Sequence, residues 1–260
     1  MRVRTPEIVV MPVKTARTEG RLYERIAGEI RNALATGRYG VGDRLPSERD
    51  LASHYGVSRP TVREAIIALE VDGLVDVRTN SGVYVLALQP SGGVLHETDV
   101  GPFELLEARR IFEAEICALA ALLIEDDMIA RLHELVTDME SVDLLRAEAA
   151  DREFHMEIAR ATQNSAMEKT VSMLWDTRDK SPQYALLTEK VRAAGIAPRV
   201  SEHRRIVTAL ASRNADAARE AMRDHLGRVI ANLLEATEVE AIQKARAEVD
   251  VKRRRYGAVK

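Results

Sequence analysis

The run "DREFHMEIAR", residues 151–160, places Asp151 and His155 four positions apart in a segment whose apolar spacing reads as helix. Side chains at i and i+4 stand on one face. The carboxylate and imidazole are therefore either a solvated face with a stray histidine, or half of a metal site whose other ligands come from elsewhere in the chain. A second pair carries different chemistry. Arg59 and Arg63 are also i and i+4, opposite an apolar stripe of Val62, Ile66 and Leu69. Two guanidinium groups projecting outward together suit phosphates and base edges. Ser58 and Thr61 offer hydroxyls at the same end, and Arg49 lies in the first turn of the preceding helix, where the helix dipole disfavours a cation. A cation at a position that costs stability points to phosphate contact. An isolated arginine pair is more often a solvated face, so the surrounding elements decide.

The chain is long enough, at 260 residues, for two domains of unequal size, and its 46% hydrophobic and 30% charged composition suits a mostly helical protein with a buried core. Cys117 is the single cysteine, which excludes an internal disulfide and a cysteine-based zinc set and suits a reducing compartment. No run reaches the length of a membrane span and the N-terminal apolar patch is too short for a signal peptide, so a cytoplasmic protein with no membrane partner is expected. The net charge of −3 does not suggest nucleic acid, but residues 1–90 hold 13 Lys and Arg against 11 Asp and Glu. That asymmetry is small.

Residues 1–20 lack periodicity and read as a flexible arm. Leu22, Ile26, Ile30 and Leu34 then repeat at the spacing of one helix face. After "TGRYGVGDRLP" a second helix starts at Ser47, with Asp50 three positions on as in a capping box. "GVS" turns, and a third helix follows with Ser58 as N-cap, Pro60 in the first turn, and Val57 and Val62 placed as a hydrophobic staple. "LVDV" and "VYVL" around "RTNSG" read as a β-hairpin. Helix, helix-turn-helix and hairpin are the order of a winged helix-turn-helix, here residues 21–88. "QPSGG" opens a linker at 89–100. From 101 to 238 the pattern is helical throughout, a bundle of six to seven helices, and 239–260 is a basic extension. Its "KRRR", Lys252 to Arg255, reads as a solvated tail without an ordered element, ahead of a sequence-independent DNA contact.

Residues 42–85, "GDRLPSERDLASHYGVSRPTVREAIIALEVDGLVDVRTNSGVYV", resemble the DNA-binding domain of the GntR family of bacterial transcription regulators nearly position for position. The resemblance implies that Arg49, Ser58, Arg59, Thr61 and Arg63 approach a double-stranded operator and that the wing around Asn80 and Gly82 enters the minor groove. It also implies a homodimer on a short palindrome, since one such domain reads few base pairs. Most wings of the family carry a second basic residue near the tip, where "RTNSG" has polar residues after Arg78.

Three further segments, "LLEARRIFEAEICALAA", "DREFHMEIARATQNSAM" and "SEHRRIVTAL" with "AMRDHLGRVI", resemble the ligand-binding domain of FadR-type GntR regulators over about residues 102–236. The resemblance maps Asp151, His155, His203 and His225 onto a metal site. Three imidazoles and one carboxylate suit Zn²⁺ first, and also Mn²⁺, Ni²⁺ or Fe²⁺. The resemblance further implies a small organic acid effector with its carboxylate on the metal. Arg109 offers a planar fork in the same cavity and Asn164 a polar contact. The reading is a ligand-responsive regulator that represses until the effector binds. A metal-dependent hydrolase or lyase fused to a DNA-binding module is the alternative, since an open coordination position activates water.

Overall fold

The computed structural model describes residues 21–78, 82–90, 100–196 and 200–257, with side chains through residue 236. The arm, most of the expected linker and Asn80 lie outside the described residues.

Helix α1, Leu22–Ala35, buries Tyr23, Ile26, Ala27, Ile30 and Leu34. The buried face begins at Tyr23 and leaves Leu22 exposed, one residue later than the spacing predicts. Helix α2, Glu48–Tyr55, is capped by Ser47, whose Oγ accepts the Asp50 amide at 3.2 Å. It ends on Gly56 at φ +66°, a left-handed C-cap that glycine adopts without a steric cost. Helix α3, Arg59–Val71, is capped by Ser58 through the Thr61 amide at 3.3 Å. Strands β1, Val75–Arg78, and β2, Gly82–Val85, pair antiparallel from Val75 opposite Val85 to Arg78 opposite Gly82. One apolar cluster joins α1, α2, α3 and the hairpin through Ile26, Ile30, Leu34, Leu51, Val62, Ile66, Leu69, Val75 and Val83. The winged helix-turn-helix is therefore present as expected.

Seven helices follow among the described residues: α4 Pro102–Leu123, α5 Asp126–Asp138, α6 Leu144–Ala161, α7 Ser165–Lys180, α8 Pro182–Ala193, α9 Val200–Ala211 and α10 Ala215–Gly257. The core between them is built of Ala114, Cys117, Leu132, Phe154, Ile158, Trp175, Ile206, Leu210, Met222 and Leu226 among others. The aromatic-poor composition is legible here, because alanines let α4, α6, α9 and α10 approach closely while Phe154 and Trp175 fill the widest space. Helix α10 crosses the expected domain boundary at 238 and runs on to Gly257. The "KRRR" run therefore lies on helical backbone rather than in a tail without an ordered element. No helix of the described residues is long and apolar enough to cross a membrane.

Candidate metal centre and nucleic-acid interface

Helix α6 supplies Asp151 and His155, the first turn of α9 supplies His203, and α10 supplies His225. One ligand atom from each of the four lies within 4.8 Å of the others. The three imidazoles are buried, at 2%, 5% and 6% exposure, and Asp151 is half-buried. His203 and His225 have ring centroids 4.3 Å apart, with His155 5.5 Å from His225 and 6.0 Å from His203. Asp151 Oδ1 accepts from His203 Nε2 at 2.9 Å and lies 3.8 Å from His155 Nε2. Burial opposes ionisation of Asp151, but the hydrogen bond and charge of His203, with the other two imidazoles, hold its carboxyl well below the ordinary range. Burial lowers His225 to about 4, against the opposing pull of Glu202, so this imidazole is neutral and able to donate a lone pair.

Two carboxylates behind the rings escaped the sequence reading. Glu113 of α4 is fully buried and its Oε2 lies in close contact with His155 Nδ1. Glu202 Oε2 accepts from His225 Nδ1 at 3.2 Å and is itself paired with Arg228. Metal-binding histidines commonly carry a carboxylate on the second nitrogen, which fixes the tautomer and strengthens the other nitrogen as a ligand. His155 Nε2 and His203 Nδ1 are buried with no hydrogen-bond partner. Such orphaned donor atoms, in a nitrogen-and-oxygen set without cysteine, fit a divalent cation.

The structure brings Arg109 to this centre but not with an open fork. Its Nε donates to Glu113 Oε1 at 2.6 Å, its guanidinium lies 4.1 Å over the Trp175 ring, and the side chain is buried. Burial works against the Glu113 carboxylate, yet the charges of Arg109 and His155 bring it down to about 2. Arg110, next to it, is exposed. Trp175 also carries Arg178, 4.8 Å from its ring, a second guanidinium beside the centre that the sequence reading did not single out. Asn164 does not join the group. It is exposed, and its Oδ1 caps α7 by accepting the Ala166 and Met167 amides, which satisfies orphan donors of that helix.

At the other end Arg49 and Arg59 are exposed as expected, with side chains 86% and 57% accessible. The Ser58 and Thr61 hydroxyls bond one another at 2.7 Å beside them. Arg63 departs from the expectation that both arginines project outward. It is buried, gripping Glu48 with Nε at 2.9 Å and Nη2 at 2.7 Å, while Nη1 donates to the Leu234 carbonyl of α10 at 3.4 Å. Glu48, at the start of α2, turns the arginine back into the protein because a bidentate carboxylate pair outcompetes water for the fork. The wing holds a cation that the sequence did not assign to it. Arg44 is exposed and bridges Tyr84 through its backbone, and its guanidinium lies over Gly82, where a Cβ would fall 2.4 Å from Nε. Glycine at φ +111° leaves the space that Arg44 takes. Arg78 is paired to Asp76 at 2.7 Å and lies over the Tyr84 ring.

A family model for bacterial regulatory proteins of the gntR family matches residues 22–85, and one for the FCD domain matches residues 104–228. The chain is 36% identical over 225 residues to the Uxu operon regulator of Haemophilus influenzae, covering 85% of each. The chain belongs to the GntR family. This GntR-family chain is also 36% identical to the Exu regulon transcriptional regulator of Escherichia coli, over 79% of its own length and 82% of that protein. It is 34% identical to the Uxu operon transcriptional regulator of the same species, over 88% and 93% respectively. A GntR reader on a helical FCD domain makes the protein a DNA-binding transcription regulator and not an enzyme, which removes the hydrolase and lyase reading.

Proposed function

We propose that this protein is a homodimeric, cytoplasmic repressor whose FCD domain holds a divalent metal, Zn²⁺ first, and releases a palindromic operator when a small organic acid binds. The observation that carries the reading is the convergence of three buried imidazoles and Asp151 with carboxylates behind two of the rings. A bound metal would supply a Lewis-acid anchor for the carboxylate of the effector. His155, His203, His225 and Asp151 hold it, Glu113 and Glu202 fix two of the rings, and Trp175 with Arg178 flanks the effector. Arg109 serves as a fork for that carboxylate only if it turns from Glu113, and otherwise it braces the charge of Glu113. On DNA, Arg49, Ser58, Arg59 and Thr61 meet the major groove and backbone, and Arg44 joins Gly82 at the minor groove. Arg63 joins them only when its hold on Glu48 opens.

Elemental analysis after dialysis, combined with thermal-shift screening of small carboxylates, tests the reading. Near one equivalent of metal per chain is expected, with a rise in melting temperature for at least one acid by mass action. His155→Ala should lose both. Metal content unchanged by His155→Ala overturns the four-ligand assignment.

A further inference from the structure

Helix α3 is buried at eight consecutive positions, Val62 to Leu69. That run exceeds two turns, so the recognition helix is covered on every side beyond its first turn. One stripe, Val62, Ala65, Ile66 and Leu69, packs into the winged domain itself. The other stripe, Arg63, Glu64, Ile67 and Glu70, meets the FCD domain. Ile67 packs with Phe103 and Leu106 of α4, Tyr184 and Leu187 of α8 and Leu233 of α10. Glu64 Oε1 accepts the amides of Phe103 at 2.8 Å and Glu104 at 3.0 Å, so a side chain of the DNA reader caps the N-terminus of α4. Gly101 leaves room for it, because a Cβ there would fall 2.6 Å from Glu64 Oε1. Glu70 Oε1 accepts from Lys190 Nζ of α8 at 3.0 Å. Arg63 closes the set on the Leu234 carbonyl.

We propose that this second stripe is a clasp that withholds Arg63 from DNA, so that the described arrangement is the low-affinity form of the reader. The inference rests on the proposed role of Arg63 in DNA contact. Arg59 and Arg63 continue in register into Ile67 and Glu70, so the DNA face and the domain interface are one stripe of one helix, with Arg63 at the join. While Leu234 covers it, Arg63 stays buried against a half-buried Glu48, which Arg59 also reaches at 3.7 Å, and does not reach DNA. Once α8 and α10 move off α3, the pair becomes a solvated one, which is cheap to exchange for a phosphate or a base edge. Helix α4 joins the clasp to the centre, since it is capped by Glu64 at one end and carries Arg109 and Glu113 against His155 further along. An effector that prefers one setting of α4 therefore has a route to Arg63.

The test uses the full chain and a mixed-sequence duplex pool, with affinity read by fluorescence anisotropy. Lys190→Glu opposes Glu70 and opens the clasp, and about fivefold or greater tightening is expected, the lower range of ordinary coupling. The added negative charge alone would weaken binding, so tightening cannot come from net charge. Glu70→Lys combined with Lys190→Glu should return the wild-type value, and Arg63→Ala placed in the Lys190→Glu chain should remove the gain. Exchange of the Phe103 and Glu104 amides should accelerate in Lys190→Glu and recover in the swap. Should Lys190→Glu fail to fold, Lys190→Gln carries the same direction at smaller size. Unchanged or weaker binding by a folded variant with accelerated exchange overturns the clasp. A gain that survives Arg63→Ala also overturns it, and removes Arg63 from the DNA contacts. A wild-type chain that binds while Arg59→Ala and Arg63→Ala leave affinity untouched instead refutes the recognition-helix reading.

Discussion

At the scale of single residues, types, spacing and family resemblance pointed to the four side chains that cluster, but not to what stands behind them. Asp151 and His155 were legible because an i, i+4 pair needs only the helix to converge, whereas His203 and His225 needed the family resemblance to be joined to them. Glu113 sits in "EARRIFEAE" as one acid among many, and only the packing of α4 on α6 sets it against His155. Arg63 failed in the opposite sense. Periodicity places it opposite the stripe of Val62, Ile66 and Leu69 but not in solvent, because a single-helix argument cannot see Glu48 from α2 or Leu234 from α10. Glu113→Gln keeps the volume and removes the charge that holds His155 Nδ1. Metal affinity measured by competition with a chelator should fall about 10- to 100-fold, and an unchanged affinity would show that Glu113 does not position the ring. Arg44→Ala should weaken binding to all duplexes alike and lower the dependence on salt by about one counterion. A loss of sequence preference in its place would make Arg44 a base reader.

Elements were read well where their signals are local. Ser47 and Ser58 cap α2 and α3 as the sequence indicates, because a capping hydroxyl acts within three residues of itself. Helix α4 has no such signal, since Gly101 offers no side chain and the cap arrives from Glu64, far back in the chain. Burial raises Glu64 to about 7, ahead of the two amides that lower it, with Glu104 and Glu107 pushing it further up. A carboxyl raised from 4.5 binds its proton more tightly when folded. Its contribution is therefore complete below about pH 4.5 and lost as pH rises through about 7, up to about 3 kcal/mol in all. The melting temperature should fall across that window, and Glu64→Gln, which keeps an oxygen for both amides, should flatten the fall. Gly101 has an ordinary φ of −66°, so Gly101→Ala costs stability only by pushing Glu64 away, about 1 kcal/mol as for a lost cap. The same change in a Glu64→Ala chain should cost little; equal costs in both backgrounds would mean that the two do not touch.

For the whole molecule the two-domain order was legible, because the change from period-two hairpin to uninterrupted helix marks a boundary in any sequence. The surface on which the expected homodimer would form was not, since an exposed apolar side chain and a buried one look alike in a periodicity. Ile111 and Phe112 of α4 are 59% and 51% exposed, and Leu122 and Leu123 are 62% and 42% exposed. Eleven residues are three helical turns, so the two pairs share one face of α4 about 18 Å from end to end, with Glu115 between them pairing Arg219 and Arg223 of α10. Exposed apolar side chains on both sides of a set of ion pairs suit a subunit contact, and a symmetric contact presents the same patch from both copies. Phe112→Asp places a charge in one of the two apolar pairs without touching the cluster of Asp151 and the histidines. Sedimentation should then shift from twice the chain mass toward 28.9 kDa, and affinity for a two-half-site duplex should fall toward that for a single half-site while metal content stays constant. A wild-type monomer, or a dimer untouched by Phe112→Asp, would move the interface off α4 and leave the proposed palindrome without this means of holding its two readers.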